Sequence, residues 1–489
     1  MTPPSASGPE TVRWLDERLG AASVVKKAFR YVFPDHWSFL LGEIALYSFA
    51  FLILSGTYIA LFFEPSVSET HYAGSYAPLV GQQVSEAFVS TINLSLDIPA
   101  GLVLRQAHHW AADVFIAAIA IHLMRIFFTG AFRKPRDFNY FIGLSMLGLA
   151  LLEGFCGYSL PDDLLSGMGL AIFYGVVMAI PLVGGKLAFL IWGGQFPGTG
   201  SFESRLYIAH VFVLPAILGL MIAVHLALIM RQHHAQFRGP GRKEGNVVGT
   251  PMWPAYALRS MGLFAAVAAV LMLLGGLVQI NPIWQWGAFD PWQGTNGAQP
   301  DWYLGWLIGA LRLMPGVEPQ IFGKTIIPNP FFGGILFPSF VFAALYSWPW
   351  LERKITRDRR LHELLDRPRD NPWRTGLGAA FLTWVVTIFV AGSADRLLVR
   401  VGFPYESQIP FFRVFALVAP IVVFFAVRRI CRELLASESH PLRGWNGTVV
   451  RRTAAGGFTA LEPGANGSGN GAGSEPVEGG TVEAPAVRR

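Results

Sequence analysis

Four histidines lie within long apolar stretches of the sequence, at intervals that place them on one face of a helix. His108 and His122 are 14 residues apart, and His210 and His225 are 15 apart. Fourteen residues are close to four helical turns, so the first pair projects from nearly one face, about 21 Å apart along the axis. Side chains that ligate or ionise are rare at membrane depth and indicate function. These four imidazoles are therefore candidate metal ligands.

The two histidine pairs fall at matching depths if both stretches cross a membrane in the same direction. His108 is then level with His210, and His122 is level with His225. One imidazole from each of two facing helices is the arrangement of bis-histidine haem ligation, in which the iron transfers electrons and does not bind oxygen. A single membrane histidine can equally be an interhelical hydrogen-bonding contact. His109 points about 100° away from His108 around the helix and breaks the 14-residue phase.

Glycines and arginines near these histidines suit the same cofactor. Two glycine pairs share the 14-residue interval, namely Gly42 with Gly56 and Gly143 with Gly157. Glycine allows close approach to a backbone, as a porphyrin edge against a helix requires, although plain helix packing would also use it. Arg105 and Arg125 could pair with haem propionates, and Arg125 could equally be an inner-side anchor.

The composition identifies the bilayer as the solvent of this chain. Hydrophobic residues make up 52% and charged residues 14% of the 489, and the mean hydropathy is +0.42, which is unusual for a soluble domain. The net charge of +6 comes from short clusters between apolar stretches, which argues for topology signals and against nucleic-acid binding. Two cysteines, Cys156 and Cys431, make a disulfide framework implausible. The first 35 residues contain no stretch of signal-peptide type, so we expect the N-terminal segment to be retained.

Apolar stretches of about 18 residues or more predict eight membrane spans. They cover roughly residues 38–62, 107–129, 138–160, 205–230, 261–280, 331–350, 374–393 and 409–430. Every second loop is basic and the alternate loops are acidic, which predicts that both termini are cytoplasmic. Shorter apolar pieces at about 164–193 and 303–314 are interpreted as surface or re-entrant helices. The Gly-rich segment 464–480 is predicted to be disordered.

These features together resemble the cytochrome b subunit of quinol:cytochrome c oxidoreductases, the cytochrome bc complexes. The resemblance covers about residues 20–450. It depends on Arg105, His108 and His122 in R-x-x-H-x13-H, the glycine pairs, the second histidine pair, GYSLP at 157–161 and PDWY at 300–303. The segments GYSLPDDLLSGMGL and QINPIW resemble actinobacterial members.

The resemblance implies an all-α integral membrane protein and an organisation of five segments. We expect a cytoplasmic N-terminal segment, a four-helix bundle for two haems, a cytoplasmic loop, a C-terminal four-helix part with an outer quinol-site loop, and a largely disordered cytoplasmic tail. The corresponding ranges are 1–37, 38–230, 231–260, 261–432 and 433–489.

The implied activity is quinol oxidation at an outer site coupled to quinone reduction at an inner one. One electron would pass to a Rieske iron–sulfur subunit and onward to a cytochrome c subunit. The other would cross two non-covalent b haems, so that the reaction contributes to a proton gradient. Further implied features are a homodimeric complex, contact with membrane lipid, a docked terminal oxidase and menaquinone as the quinone.

The outer quinol site would be lined by residues of the PDWY and GYSLP motifs. Asp301 stands where the family has a glutamate that accepts a hydrogen bond or proton from quinol. Because Asp is one methylene shorter, its contact with quinol is either closer or bridged by water. Tyr303, Trp302 and Tyr158 would be wall residues, and Arg312 is interpreted as structural.

The inner quinone site has weaker signals. Mitochondrial members carry a histidine where this chain has Met230, which leaves His36, Trp37, His233, His234 and Arg259 as loose candidates. Two carboxylates, Glu43 and Glu153, lie within spans. Each should be protonated, paired with a cation or hydrogen-bond donor, or in contact with water. Glu43 is interpreted either as part of an inner proton-uptake route or as a structural hydrogen-bonding group. Asp113 has no assigned role.

Two other functions remain compatible with membrane histidines. The first is the haem b anchor of another quinone-linked dehydrogenase, which would need neither PDWY nor eight spans. The second is a transporter, whose inward histidines would line a path without paired depths.

Overall fold

The architecture is that of a computed structural model, which describes most of the chain. The described residues are 28–198, 201–293 and 300–439, with 14, 16–18, 20, 442–443, 449–452 and 458–461. The segment 464–480, predicted to be disordered, lies outside these residues. The chain divides into two units, Met1–Leu435 and Ala436–Arg489.

Among the described residues, eight helices are long and apolar enough to cross a membrane, which confirms the predicted number. They are α1 (Trp37–Ala60), α2 (Gly101–Thr129), α3 (Asp137–Tyr158), α4 (Ser201–Gln232), α5 (Met252–Leu277), α6 (Phe332–Thr356), α7 (Pro372–Leu397) and α8 (Tyr405–Glu438). Most run a few residues beyond the apolar stretches, because helical hydrogen bonding continues after the side chains become polar.

Two of these helices contain a π turn, at Ala209–Val213 in α4 and at Phe332–Leu336 in α6. The first turn of α5, Met252–Tyr256, is instead interrupted by the extended backbone of Trp253. A π turn accommodates one extra residue and is frequent at functional sites. The turn in α4 contains His210.

The first three helices share an apolar core, and α4 and α5 pack against them. Helix α2 lies against α1 and α5, and α3 lies against α4. Phe115 and Ile116 of α2 are buried with Ala45 of α1, Ala150 of α3 and Tyr303 of the outer loop. Helix α5 approaches α2 closely because Gly275 faces the backbone of Ala107.

Short helices lie in the loops between spans on the side of the predicted outer sites. They are Glu86–Leu96, Leu164–Met178, Gly184–Trp192, Ile283–Trp286 and Gly305–Leu313. Three of them occupy the two regions where short apolar pieces predicted surface helices. Gly305–Leu313 packs against α7, where Gly309 meets the carbonyl of Ile388.

Short β-strands in the loops pair with one another. The strands are β1 (Val32–Pro34), β2 (Glu69–His71), β3 (Gln83–Ser85), β4 (Gln236–Phe237), β5 (Gly249–Pro251), β6 (Gln320–Ile321), β7 (Lys324–Thr325) and β8 (Leu364–Leu365). Strand β1 pairs antiparallel with β5, β2 with β3, and β6 with β7, whereas β4 and β8 are parallel. Pairing β1 to β5 brings the segment before α1 to the start of α5.

A buried ion network joins the ends of α6 and α7 to the loop between α2 and α3. Arg374 is 2% exposed and donates to Glu352 at 3.0 Å and Asp366 at 2.8 Å. Arg133 lies 2.9 Å from the same Asp366 carboxylate. Paired in this way, the buried guanidinium is compensated.

The second unit contains a three-stranded antiparallel sheet. Its strands are β9 (Leu442–Arg443), β10 (Val449–Arg452) and β11 (Phe458–Leu461), with β10 in the middle. The apolar periodicity that predicted the spans gave no indication of these strands.

Candidate functional site

The outer histidine pair has the spacing of two ligands that share one metal. His108 on α2 and His210 on α4 have ring centroids 6.2 Å apart, with ring planes at 86°. Two imidazoles on opposite faces of one metal, each bonded through a nitrogen at about 2 Å, place their centroids about 6 Å apart. The described residues contain no group of three or more histidine, cysteine or carboxylate side chains that could hold a metal alone. A macrocycle that supplies the remaining ligands therefore suits this pair.

Residues of the two other helices of the bundle lie beside the outer pair. Ser55 of α1 is hydrogen-bonded to His108 Nδ1 at 2.9 Å, whereas Glu153 of α3 lies 2.9 Å from His210 Nδ1 without a hydrogen bond to it. A hydrogen-bonding partner such as Ser55 orients a metal-binding imidazole and selects its tautomer. Glu153, one of the two carboxylates noted within spans, is thus adjacent to a candidate ligand.

The π turn explains how a 15-residue interval can place His210 and His225 in phase. Fifteen residues of regular α-helix rotate the second side chain about 60° past the first. Since the turn Ala209–Val213 accommodates one extra residue, the interval corresponds to about 14 α-helical residues. Both helices then present their histidines at a similar interval.

The inner histidines lie on the same two helices as the outer pair. His122 of α2 faces Gly42 of α1, and His225 of α4 faces Gly143 of α3. The Nδ1 atom of His122 is buried and has no hydrogen-bond partner among the residues that the structure describes. Buried polar atoms in proteins normally have a hydrogen-bond partner, which can be a water molecule or a bound group.

Each of the four predicted glycines faces one of the four histidine rings. A Cβ at Gly56 would lie 3.0 Å from His108 Cε1, one at Gly42 would lie 3.3 Å from His122 Cε1, and one at Gly143 would lie 3.7 Å from His225 Cε1. A Cβ at Gly157 would collide with His210. The 14-residue interval of the glycines therefore matches that of the histidines because each imidazole lies against a glycine of a neighbouring helix.

The two arginines predicted to bind propionates differ in their contacts. Arg105 donates to Ser95 Oγ at 3.0 Å and to the carbonyl of Asn281 at 3.2 Å. Arg125 contacts Ser38 Oγ at 3.4 Å and lies 4.3 Å above the Phe39 ring. Its Nη2 is buried without a hydrogen-bond partner in the described part of the chain. A carboxylate of a bound group would satisfy that atom.

Asp301 of the PDWY motif lies in a hydrogen-bonded cluster at the outer end of α2. His109 Nε2 is 2.8 Å from each carboxylate oxygen of Asp301, and the Tyr303 hydroxyl donates to Oδ2 at 3.1 Å. The side chains of His109 and Asp301 are 13% and 12% exposed. Burial raises the pKa of Tyr303 well above its usual value, so this phenol stays neutral and remains a donor.

The other predicted wall residues surround this cluster without bonding to Asp301. Tyr158 donates to the carbonyl of Leu165 at 2.9 Å. Asp113, a carboxylate with no role assigned from the sequence, is 6% exposed and lies four residues after His109 on α2, on the side of the helix that faces this cluster. Arg312 forms a two-pronged ion pair with Asp395 at 2.6 and 3.0 Å, which attaches the outer helix to α7.

The sequence patterns assign no role to His109 in this cluster. Its direction on the helix excludes it as a ligand beside His108. The His109 side chain points away from His210 and towards Asp301. The available signal was its spacing from Asp113, since residues four apart share one side of a helix.

Candidates for the inner quinone site collect beside the start of α5. The Tyr31 hydroxyl is 3.0 Å from His234 Nδ1, and burial with Arg136 and Arg125 nearby lowers the pKa of His234 to about 3. His233 stacks on Tyr31 at 5.6 Å, and His36 lies 4.3 Å from the ring of Phe237. These aromatic groups form a partly buried wall.

Two of the inner candidates are more exposed than this wall. The Trp37 side chain is 71% exposed, and Arg259 binds Asp35 at 3.4 Å with 68% of its side chain exposed. Neither the exposure of Trp37 nor the ion pair of Arg259 indicates a quinone-binding role.

Glu43 has hydrogen-bond donors on both carboxylate oxygens. Tyr256 donates to Oε1 at 2.6 Å, and Ser260 and Tyr47 donate to Oε2 at 3.0 and 3.3 Å. Tyr256 stacks on Phe33 with ring centroids 3.7 Å apart. The carboxylate is therefore paired, and it is linked through Tyr256 and Phe33 to the wall around His234.

Comparisons with known proteins agree on one family. The family model described as "Cytochrome b(N-terminal)/b6/petB" matches residues 113–288. The "Cytochrome bc1 complex cytochrome b subunit" of Streptomyces coelicolor is 43% identical over 454 residues, covering 92% of this chain and 83% of that one. Its namesake in Mycobacterium leprae is 42% identical over 449 residues, covering 91% and 81%.

A solved structure shares the fold. The chain is similar to one of a "Hyperthermophilic respiratory Complex III" with a TM-score of 0.63 and 18% identity, covering 86% of this chain and 99% of that one.

Proposed function

The chain belongs to the cytochrome b subunits of cytochrome bc1 complexes, and from this premise we propose how its residues connect two quinone sites across the membrane. It is a multi-pass membrane subunit of a quinol:cytochrome c oxidoreductase, in which it binds haem b and quinone and works with Rieske and cytochrome c partners. The dehydrogenase anchor and the transporter are both less well supported, because relatives over 90% of the chain are bc1 subunits.

The electron path consists of two bis-histidine haem sites. His108 and His210 would hold the outer haem, and His122 and His225 the inner one. A haem held by two histidines would supply one-electron transfer. The four facing glycines leave room for the imidazoles, while Arg125 offers an unpaired donor to a propionate, and Arg105 lies nearer the outer pair. The observation that carries this proposal is the 6.2 Å separation of the outer rings.

A haem count tests the proposal directly. The complex containing this chain should give two b haems per chain by pyridine haemochrome, with two components in a reductive titration. One b haem per chain, or none in a well-folded complex, would reject the paired assignment.

At the outer site, the quinol would lose two electrons and two protons. Asp301 would take one of the protons, and the other would be released to the outer aqueous side. His109 and Tyr303 hold the carboxylate at 2.8 and 3.1 Å, which limits its rotation. This support compensates for the shorter side chain, because a positioned base is more effective than a free one. Tyr158 and Trp302 would form the wall beside it. One electron would go to the Rieske partner and the other to the outer haem.

At the inner site, Glu43 would supply protons to quinone through Tyr256. We place the site beside Tyr256, Phe33 and His234, where the aromatic wall is continuous. The basic loops put this side and both termini in the cytoplasm, so proton uptake there and release outside would charge the membrane. Menaquinone, a homodimeric complex and a docked oxidase complete the proposal, on the strength of the actinobacterial relatives.

We expect Glu43→Gln to slow the oxidation of the inner haem by quinone about tenfold or more, because a general acid is replaced by an amide. The measurement is haem b reoxidation with the outer site inhibited, with proton uptake followed by a pH dye. Ser260→Ala is the control, since it removes one hydrogen bond at 3.0 Å and keeps the carboxylate. An unchanged uptake rate in Glu43→Gln would assign Glu43 a structural role only.

A further inference from the structure

The outer and inner histidine pairs differ in the polar contacts of their second ring nitrogens. His108 Nδ1 has a hydrogen-bond partner in the described part of the chain, namely Ser55 Oγ at 2.9 Å. The Nδ1 atoms of His122, His210 and His225 are buried and have no such partner among the described residues. The hydroxyl of Ser55 therefore distinguishes one candidate ligand from the other three.

The direction of this hydrogen bond follows from the other contact of Ser55. Its hydroxyl donates to the carbonyl of Phe51, one helical turn earlier, at 2.7 Å. A serine hydroxyl has one hydrogen and two acceptor lone pairs. Because the hydrogen is already donated to Phe51, Ser55 Oγ accepts from His108 Nδ1–H. The unprotonated nitrogen of His108 is then Nε2, which is free to bind a metal.

Ser55 and the next residue together determine how the His108 ring is placed. Ser55 is 4% exposed, so its side chain has little freedom to move. Gly56 supplies the space for the ring, since a Cβ there would lie 3.0 Å from His108 Cε1. The glycine thus admits the imidazole and the serine fixes its rotation. This rotation contributes to the angle of 86° between the ring planes of His108 and His210.

The inner site has the glycine without the hydroxyl. Gly42 faces His122 on α1 as Gly56 faces His108, but the residue before Gly42 is Leu41. An aliphatic side chain cannot accept a hydrogen bond from the imidazole. The two sites therefore offer similar space to their histidines and different polarity.

We propose that Ser55 is a positioning residue that lowers the reduction potential of the outer haem by accepting a hydrogen bond from His108 Nδ1–H. The inference rests on the proposed pair of bis-histidine haem sites. A hydrogen bond donated by the second ring nitrogen makes histidine a more basic ligand. A more basic ligand stabilises oxidised iron relative to reduced iron, so the contact favours electron transfer from the outer site to the inner one.

The test is a reductive titration of the purified complex that resolves the potentials of both haems. Ser55→Val should raise the outer potential, so that the equilibrium constant for electron transfer from the outer to the inner haem falls about three- to tenfold. For one electron this change is about 30–60 mV. Ser55→Thr nearly matches the valine variant in shape and keeps the hydroxyl, so its potential should stay close to that of the parent. Ser55→Ala should shift the potential in the same direction as valine, and it serves if the valine variant does not assemble.

Thr57 supplies a matched control on the same helix. Its hydroxyl donates to the carbonyl of Ile53 at 2.7 Å, as Ser55 donates to Phe51, but at an exposed position. Thr57→Val should leave both potentials unchanged. The electron paramagnetic resonance spectrum of the oxidised outer haem depends on the angle between the imidazole planes, so it should change in Ser55→Val and not in Thr57→Val.

Haem content separates the failure of this inference from the failure of the proposed function. Two haems per chain with an unchanged outer potential in Ser55→Val and Ser55→Ala would overturn the role of Ser55 and leave the haem sites in place. Equal shifts in Ser55→Val and Ser55→Thr would assign the effect to side-chain volume and also overturn it. Fewer than two haems per chain in the parent complex would reject the haem sites themselves.

Discussion

Replacing His108 by alanine should remove the outer b haem and leave the inner one, so that the pyridine haemochrome falls from two haems per chain to one. The physical reason is that the His108 imidazole would be one of two protein ligands of this haem, and the methyl side chain of alanine has no donor atom to replace it. His122→Ala should remove the inner haem instead. The two variants should lose different components of the reductive titration.

The neighbouring histidine supplies a matched control for this experiment. His109→Ala alters the next residue of the same helix but should keep both haems, because the His109 ring points to Asp301 at 2.8 Å. His108→Met offers a second variant in case the alanine variant does not assemble. A thioether ligand should retain haem and raise its potential, with an altered spectrum. Two unaltered haems in both His108 variants would contradict the assignment.

Replacing Asp301 by asparagine should lower the turnover of quinol oxidation about 100-fold or more while both haems remain. The amide keeps nearly the same volume, but it cannot accept a proton, and general bases contribute about 10²–10⁴-fold. The measurement is quinol:cytochrome c reductase activity of the purified complex, with kcat and KM determined separately. Asp97→Asn, at an exposed position on the same side, is the control.

Variants of the two residues that hold Asp301 separate positioning from proton acceptance. His109→Ala should lower kcat by about tenfold, because the carboxylate loses the donor at 2.8 Å from both oxygens. His109→Gln should restore part of the activity, since its amide can donate to the same carboxylate. Asp301→Glu should be only partly active, because an extra methylene displaces the bonds to His109 and Tyr303. If Asp301→Asn kept full turnover, the proton acceptor would have to be another group, with Asp113 the nearest carboxylate in the cluster.

The outer cluster also indicates how this chain tolerates aspartate in its PDWY motif. A carboxylate side chain in a loop can rotate freely, but here both carboxylate oxygens of Asp301 are hydrogen-bonded to neighbouring side chains. Tyr303 is 2% exposed, so its hydroxyl is held in place by burial. The shorter side chain of Asp301 is thus offset by the hydrogen bonds that fix its carboxylate, which is a general way to keep a catalytic group positioned.

Several properties could be predicted from the sequence because they depend on local patterns. The eight spans follow from apolar stretches long enough to cross a bilayer, and no long-range contact is needed to identify them. The family was recognisable from motifs such as PDWY and from histidine spacing. The matching glycine interval was also visible in the sequence, and in the structure each of these glycines faces an imidazole ring.

Other properties were decided only by the tertiary structure, because they are contacts between residues far apart in the sequence. Such contacts produce no periodic pattern in the sequence. His109 and Asp301 are 192 positions apart, and Glu43 and Tyr256 are 213 apart. The π turn at His210 depends on hydrogen bonding that side-chain hydropathy does not report. The hydrogen bond between His108 and Ser55 exists because α2 packs against α1, whereas in the sequence Ser55 was indistinguishable from other hydroxyl residues of the spans. Hydropathy and spacing thus determined which helices form and which residues each one presents. Packing between helices decided which of those residues meet.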